Sequence, residues 1–262
     1  MDQPDLSLEL AFAHELADVA AKVTLLRFGD RLAVTRKGDG TSVTDADVAA
    51  ERAMREALAA TFPRDGMQGE ETGRIEGSSG RTWVIDPIDG TAHYADGVPL
   101  WTTLIGLDVD GHPALGVADV PALGMRYHAS RGGGAWCGDR SLRTSRVEDL
   151  ADAFIMHSAV ERWAEGGRID DLVRILGAAR RSRGLSDAWA QMLIAQGSAD
   201  ALLENEPCFE WDWTATSVIV EEAGGRLTTL DGGPPAAGAS LLVSNGTLHD
   251  ETLAALRPGV DA

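Results

Sequence analysis

The sequence predicts a mixed α/β (α+β) protein in which helices flank a largely antiparallel sheet. Three observations carry this. Leu6, Leu10, Ala13, Leu16, Ala17, Ala20 and Val23 recur at three- and four-residue steps, the period of a helix with one buried face. From 83 to 130, strand-like runs alternate with turn signals in the manner of an antiparallel meander. Beyond 145, short apolar runs alternate with helical stretches. The 262 residues suffice for one large domain or two subdomains. A shift to charged composition near 145 divides the chain into 1–145, with most of the candidate metal ligands, and 146–262, with Asp212.

Taken in order, the first helix covers about 6–28, and Gly29 closes it. A loop rich in glycine and small polar residues runs from Lys37 to Asp47. Thr44 or Asp45 caps the next helix, which carries Val48, Met54 and Leu58 and ends near Ala60. Asp47, near its start, could orient a hydroxyl or a water, or simply complement the helix dipole. Phe62-Pro63 breaks this helix. Gly69-Glu70-Glu71-Thr72-Gly73 then sets an acidic pair on a glycine-flanked loop, either a solvated turn or the source of a further carboxylate.

Trp83-Val84-Ile85-Asp86-Pro87-Ile88-Asp89-Gly90-Thr91 organises the rest. An apolar run rich in strand formers ends in two acids. The strand should stop at the rim of a sheet and present Asp86. A tight turn through Pro87 should bring Asp89 to the same side, with Gly90 where the backbone needs freedom. Two carboxylates forced together repel and stay ionised only beside a cation. A hard divalent ion with oxygen ligands, most simply Mg²⁺, meets that need. Gly90 and Thr91 should offer backbone N–H groups to an anion at a helix start.

Trp101–Val109 and Ala114–Ala118 flank Asp110-Gly111, a hairpin signal. Met125–Ala129 and Gly134–Cys137 read as further strands. His93, His112 and His128 lack metal-ligand spacing and read as structural or solvated. Then come a strand at 154–157, helices at 169–179 and 187–196, and a short strand at 201–204. Asp212 heads a helix that ends at Gly224, as either a cap or a metal ligand. Strands at 226–230 and 241–245 and a helix from His249 complete the chain.

The formal charge is −18, which argues against nucleic acid and anionic membrane as partners. Two distant cysteines, Cys137 and Cys208, make neither a disulfide framework nor a zinc site. The first five residues include acids and no apolar signal core, and no run reaches the ~18 apolar residues of a membrane span. A cytoplasmic protein is the expectation. Glu70, Asp86, Asp89 and Asp212, each beside a turn or helix start, are the set a multi-Mg²⁺ phosphatase needs. An aspartyl-nucleophile motif, Asp-x-Asp-x-Thr, does not match, because two residues separate the acids. A divalent-cation-binding module of the EF-hand kind does not fit either, because position 12 would be Gly97.

Four blocks resemble the inositol monophosphatase superfamily of Mg²⁺-dependent, lithium-sensitive phosphatases. They are Lys37…Thr41-x-Val43-Thr44-x-x-Asp47, Gly69-Glu70-Glu71, Trp83–Thr91, and Trp211-Asp212…Glu222-Ala-Gly-Gly225. The resemblance implies a layered αβαβα sandwich, a homodimer and a small phosphorylated metabolite as substrate. It also implies two or three Mg²⁺ per site and inhibition by Li⁺. By carry-over, Glu70, Asp86 and the Ile88 carbonyl would hold one metal. Asp86, Asp89 and Asp212 would hold a second, and Glu70 would help a third. Thr91 with Asp47 would orient the attacking water, and the Gly90 and Thr91 amides would hold phosphate.

Within the superfamily, Val98-Pro99-Leu100-Trp101-x-x-Leu104-Ile105, Arg131-Gly-Gly-Gly-Ala and Ser244-Asn245-Gly246 look most like the actinobacterial-type histidinol-phosphate phosphatases. Asp89, Arg183, Asp187, Glu204 and Asp212 are the implied substrate residues. Departures cluster among them. Ser186 stands for a glycine, His93-Tyr94 for Asn-Phe, and the link from Glu204 to Asp212 is one residue longer, with an extra acid, Glu210. An inositol phosphate, a sugar phosphate or a nucleotide remains the alternative substrate.

Overall fold

A computed structural model of the chain describes residues 5–29, 34–36 and 42–256. Its elements are α1 (Ser7–Arg27), β1 (Val34–Arg36), β2 (Ser42–Thr44), α2 (Asp45–Thr61), β3 (Gly66–Gly69), β4 (Gly73–Ile75), β5 (Arg81–Asp89), α3 (Thr91–Ala95), β6 (Thr102–Val109), β7 (His112–Val120), β8 (Met125–Ser130), β9 (Gly134–Cys137), β10 (Arg140–Ser141), β11 (Phe154–His157), α4 (Val160–Glu165), α5 (Ile169–Ala178), β12 (Arg181–Gly184), α6 (Asp187–Ala195), β13 (Ala201–Cys208), α7 (Glu210–Glu222), β14 (Arg226–Thr228), β15 (Ala239–Ser244) and α8 (His249–Leu256).

Alternation along the strands sorts the apolar side chains into three packed layers. On β6 and β7, Ile105, Leu107, Leu115 and Val117 point one way and pack against Leu16 and Ala17 of α1 and Met54 of α2. Leu104, Ala118 and Val120 point the other way, toward Ala190 of α6 and Val218 and Ile219 of α7. That middle layer also takes Met156, Leu202 and Val243 from β11, β13 and β15. Their neighbours Ile155, Leu203 and Leu242 face outward onto Trp163, Leu172 and Leu253 of α4, α5 and α8. The result is the αβαβα sandwich.

The first sheet has eight strands in the order β10-β9-β8-β7-β6-β5-β3-β4, and the second has five in the order β12-β11-β13-β15-β14. From β5 to β10 each strand pairs antiparallel with the next, the expected meander. Asp110 and Gly111 both have positive φ, 53° and 84°, as a two-residue hairpin turn requires. The chain leaves the first sheet at Ser141 and enters the second at Phe154.

Several details differ from expectation. Val48 is exposed, while Ala46, Ala50, Met54 and Leu58 form the buried face of α2. β13 runs on to Cys208, with a register shift after Glu204. α4 and β12 carried no periodicity long enough to read. The expectations for Lys37 and Thr41 fall outside the described residues.

One close approach sets the position of α7. Gly106 and Gly116 are partners across β6 and β7. A Cβ on Gly116 would stand 2.0 Å from the Ala215 carbonyl oxygen, and one on Gly106 would stand 2.6 Å from Thr214 Cγ2. The paired glycines let the helix backbone rest directly on the sheet. Gly116→Ala should therefore push α7 off the sheet, lowering stability by about 1–3 kcal/mol. It should also weaken the Mg²⁺-induced rise in melting temperature, because α7 carries Asp212. An unchanged metal response would show that α7 is not placed by this contact.

Candidate active site

A bulge in β5 creates the acidic pair. Asp86 pairs with Leu104 and Asp89 with Thr102, so Pro87 and Ile88 together oppose Thr103 alone. In a regular strand, residues three apart point to opposite faces. The extra residue turns Asp89 back to the side of Asp86. Thus β5 does not stop at Asp86 before a turn, as expected; it continues through a bulge to Asp89. Pro87 suits this place because it has no N–H to pair. Its carbonyl accepts from the Thr103 hydroxyl at 2.7 Å, and Asp86 Oδ1 accepts from the Ile88 N–H at 2.9 Å.

Gly90 follows with φ +82° and opens α3. Asp212, in the first turn of α7, accepts from the Phe209 N–H at 2.7 Å. Asp89 Oδ2 accepts from the Ala188 N–H at 2.7 Å, which ties α6 to the same point. Asp86, Asp89 and Asp212 each bring one carboxylate oxygen within 4.8 Å of the others.

These groups line one cavity of about 300 Å³. Glu70, Asp86, Ile88, Asp89, Gly90, Thr91 and Asp212 belong to its lining, as do Asp187, Gln191, Glu204 and Glu206. Asp47 is fully buried behind Thr91. The Thr91 hydroxyl lies 3.1 Å from the Ile88 carbonyl and 3.3 Å from Asp47 Oδ1. The other Asp47 oxygen accepts from the N–H and hydroxyl of Thr44, a capping box that fixes its rotamer. Asp47 therefore serves both as cap and as partner of Thr91.

Among the described residues, no lysine or arginine lines the cavity. Burial, then the neighbouring carboxylates, pushes Asp86 and Asp89 well above the ordinary carboxylate range. Burial first, against the Phe209 N–H and with help from Glu70 and Asp187, raises Asp212 to about 8. Burial also raises Asp47, and burial with Asp187 and Glu206 raises Glu204 well above its usual range. Desolvated, all-oxygen and mutually repelling, the donor set suits a hard cation such as Mg²⁺.

Nine sequence-predicted residues thus share the cavity: Glu70, Asp86, Ile88, Asp89, Gly90, Thr91, Asp187, Glu204 and Asp212. Arg183 is not brought to it. It is exposed on the edge strand β12 and donates from Nη1 to the Ser182 carbonyl at 2.7 Å. His93 is not merely structural or solvated: it lines the cavity, and its Nδ1 stands 3.4 Å from Asp187 Oδ2. Sequence reasoning also missed Gln191 and Glu206. Glu206 had one signal, the longer link from Glu204 to Asp212.

A profile of the inositol monophosphatase family matches residues 5–261. A histidinol-phosphatase of Streptomyces coelicolor is 42% identical over 95% of this chain and 97% of its own. One of Mycobacterium tuberculosis is 40% identical over 99% and 100%. Among solved structures, the extragenic suppressor protein suhB of Bartonella henselae superposes with a TM-score of 0.88 at 27% identity, over 95% of this chain and 98% of that one.

The raised carboxyls give a signed dependence on pH. Without metal, the folded state holds protons that the unfolded chain releases above the ordinary carboxylate value. Stability should then fall as pH rises from about 3.8 towards about 8, the window set by Asp212. In EDTA the melting temperature should drop between pH 5 and 8, and saturating Mg²⁺ should remove most of that drop. A metal-free melting temperature that rises over this range would contradict the electrostatic reading.

Proposed function

The chain belongs to the inositol monophosphatase family and is a metal-dependent phosphoric monoester hydrolase; from that premise, we propose that its substrate is histidinol phosphate, cleaved to histidinol and inorganic phosphate. The observation that carries the substrate is the cavity lining beside the Asp86–Asp89–Asp212 cluster. Asp187, Glu204, Glu206 and Gln191 belong to it, His93 faces Asp187, and among the described residues no lysine or arginine lines it. The Gln191 Oε1 is buried without a hydrogen-bond partner, and neither a hydrogen bond nor an ion pair reaches the Glu206 carboxylate among the described residues. A surplus of acceptors over donors fits a leaving alcohol that carries an ammonium and an imidazole N–H. The names of the two bacterial relatives support the same ester.

In this reading Glu70, Asp86, the Ile88 carbonyl, Asp89 and Asp212 hold two or three Mg²⁺. Bound Mg²⁺ supplies charge neutralisation at the phosphate and lowers the pKa of a water. The chain does the rest. The Thr91 hydroxyl donates a hydrogen bond to Asp47 or to the Ile88 carbonyl, which leaves a lone pair on its oxygen to orient the attacking water. Gly90 and Thr91 N–H groups at the start of α3 receive the phosphate oxygens. Asp89, tied to the Ala188 N–H, keeps Asp187 at the start of α6 in register with the metal ligands. Asp187, Glu204 and Glu206 meet the cationic leaving group. The same reading makes the protein a cytoplasmic homodimer inhibited by Li⁺. Among the described residues, no helix is long and apolar enough to cross a membrane.

Phosphate release in Mg²⁺ should favour histidinol phosphate over inositol 1-phosphate and sugar phosphates by at least ~10-fold in kcat/KM, about 1.4 kcal/mol of transition-state preference. A preference for a neutral polyol ester would overturn the substrate and leave the hydrolase in place. Asp86→Asn should remove more activity than the roughly 10–100-fold that changes around a metal's ligands cost. It should keep the fold, because it relieves repulsion. Substantial turnover in that variant would sink the metal assignment.

A further inference from the structure

Helix α2 carries two fully buried carboxylates, Asp47 and Glu51, four residues apart and so on one face. Asp47 approaches Thr91. Glu51 serves no part of the reaction described above, yet its acceptor capacity is heavily used. Its Oε2 accepts from the Glu71 N–H at 2.7 Å, and its Oε1 accepts from the Thr72 N–H at 3.0 Å and from the Thr72 hydroxyl. Arg55, one turn further along α2, donates from Nε to Glu51 at 3.1 Å and from Nη2 to the Gly73 carbonyl at 2.5 Å. The backbone of 71–73, just after Glu70, is therefore tied to α2.

On the other side of Glu70, Gly69 is held in β3 opposite Ile85 of β5. A Cβ on Gly69 would stand 2.4 Å from Glu51 Oε1 and 2.5 Å from its Cδ. The carboxylate fills the space that a side chain at 69 would need. A solvated glutamate would pair with Arg55 at little cost. Burying this one costs desolvation, which the loop's N–H groups and hydroxyl offset only if the loop stays in place.

We propose that Glu51 is the positioning residue for Glu70, holding its loop at the metal end of the cavity. One face of α2 then fixes both Thr91, through Asp47, and Glu70, through Glu51. The inference rests on Glu70 being a metal ligand and is independent of which ester is cleaved.

The test is Mg²⁺ binding by titration calorimetry, with the metal-free melting temperature and the Mg²⁺ dependence of hydrolysis of one fixed ester. Glu51→Gln and Gly69→Ala should each weaken Mg²⁺ binding about 10-fold, as changes around a metal's ligands do. Hydrolysis should recover at high Mg²⁺, with KM for the ester unchanged. Glu9→Gln is the control for simple loss of a buried acid. Glu9 is buried, paired with Arg81 and remote from the cavity lining. It should lower the melting temperature and leave Mg²⁺ affinity alone. Unchanged Mg²⁺ affinity in Glu51→Gln and Gly69→Ala would overturn the proposal. Should Glu51→Gln fail to fold, Gly69→Ala and Thr72→Val carry the test. Glu70→Gln separates the two layers of the argument. If it weakens Mg²⁺ binding and the Glu51 and Gly69 variants do not, positioning is wrong. If Glu70→Gln itself has no effect, the ligand assignment beneath the proposal is wrong.

Discussion

Repulsion among Asp86, Asp89 and Asp212 is the constraint on which the structure turns. These carboxylates converge, Asp86 and Asp89 buried and Asp212 half-buried, in a cavity that no lysine or arginine among the described residues lines. Left alone, such a cluster would protonate or spread apart. Three devices hold it instead. The β5 bulge turns Asp86 and Asp89 to one side. The Gly106–Gly116 pair lets α7 settle on the sheet with Asp212 in its first turn. Backbone N–H groups of Ile88, Ala188 and Phe209 each donate to one of the three carboxylates. The fold supplies position and a few hydrogen bonds, and leaves the charge for a cation to neutralise.

The cavity divides by chemistry. At the metal end, Thr91 and Asp47 add a hydroxyl and a buried acid suited to aligning water. Beside it, Asp187, Gln191, Glu204 and Glu206 supply more acceptors than donors. The link between the two is Asp89, whose oxygen takes the Ala188 N–H while Asp187 beside it faces His93 and Glu204 takes the Asp187 N–H at 2.8 Å. Asp187 has a positive φ of 62°, a conformation disfavoured for a side chain, held by these contacts. A change at Asp187 or Glu204 would therefore be felt at the Asp86–Asp89–Asp212 cluster through α6.

Much of this was legible in the sequence where local pattern and global role coincide. The run Trp83–Thr91 joins strand formers, a proline and two acids, so its place and chemistry were readable together. Asp212 stood at a helix start with an evident core face behind it, although cap and ligand could not be separated; its contact with Phe209 N–H shows that it caps as well. The bulge was not legible, because a turn and a bulge both place proline between two acids; only the partner strand distinguishes them. Glu51, Gln191 and Glu206 were hidden for a different reason. Each acts through a neighbour distant in sequence, and nothing local separates a buried acid on α2 from the exposed ones beside it. Arg183 differs the other way: a motif set it near Asp187, while the structure places it exposed on the edge strand β12, outside the cavity lining.

The central claim is that the buried acids hold protons until a divalent cation replaces them. Calorimetric titration with Mg²⁺ near pH 7, repeated in buffers of different ionisation enthalpy, counts the protons released on binding. With Asp212 at about 8 and Asp86 and Asp89 also raised, at least one proton should leave per site as metal enters, and fewer in Asp212→Asn. Mg²⁺ binding with no proton release at pH 7 would mean that the carboxylates are already ionised, and that something other than repulsion and burial governs the site.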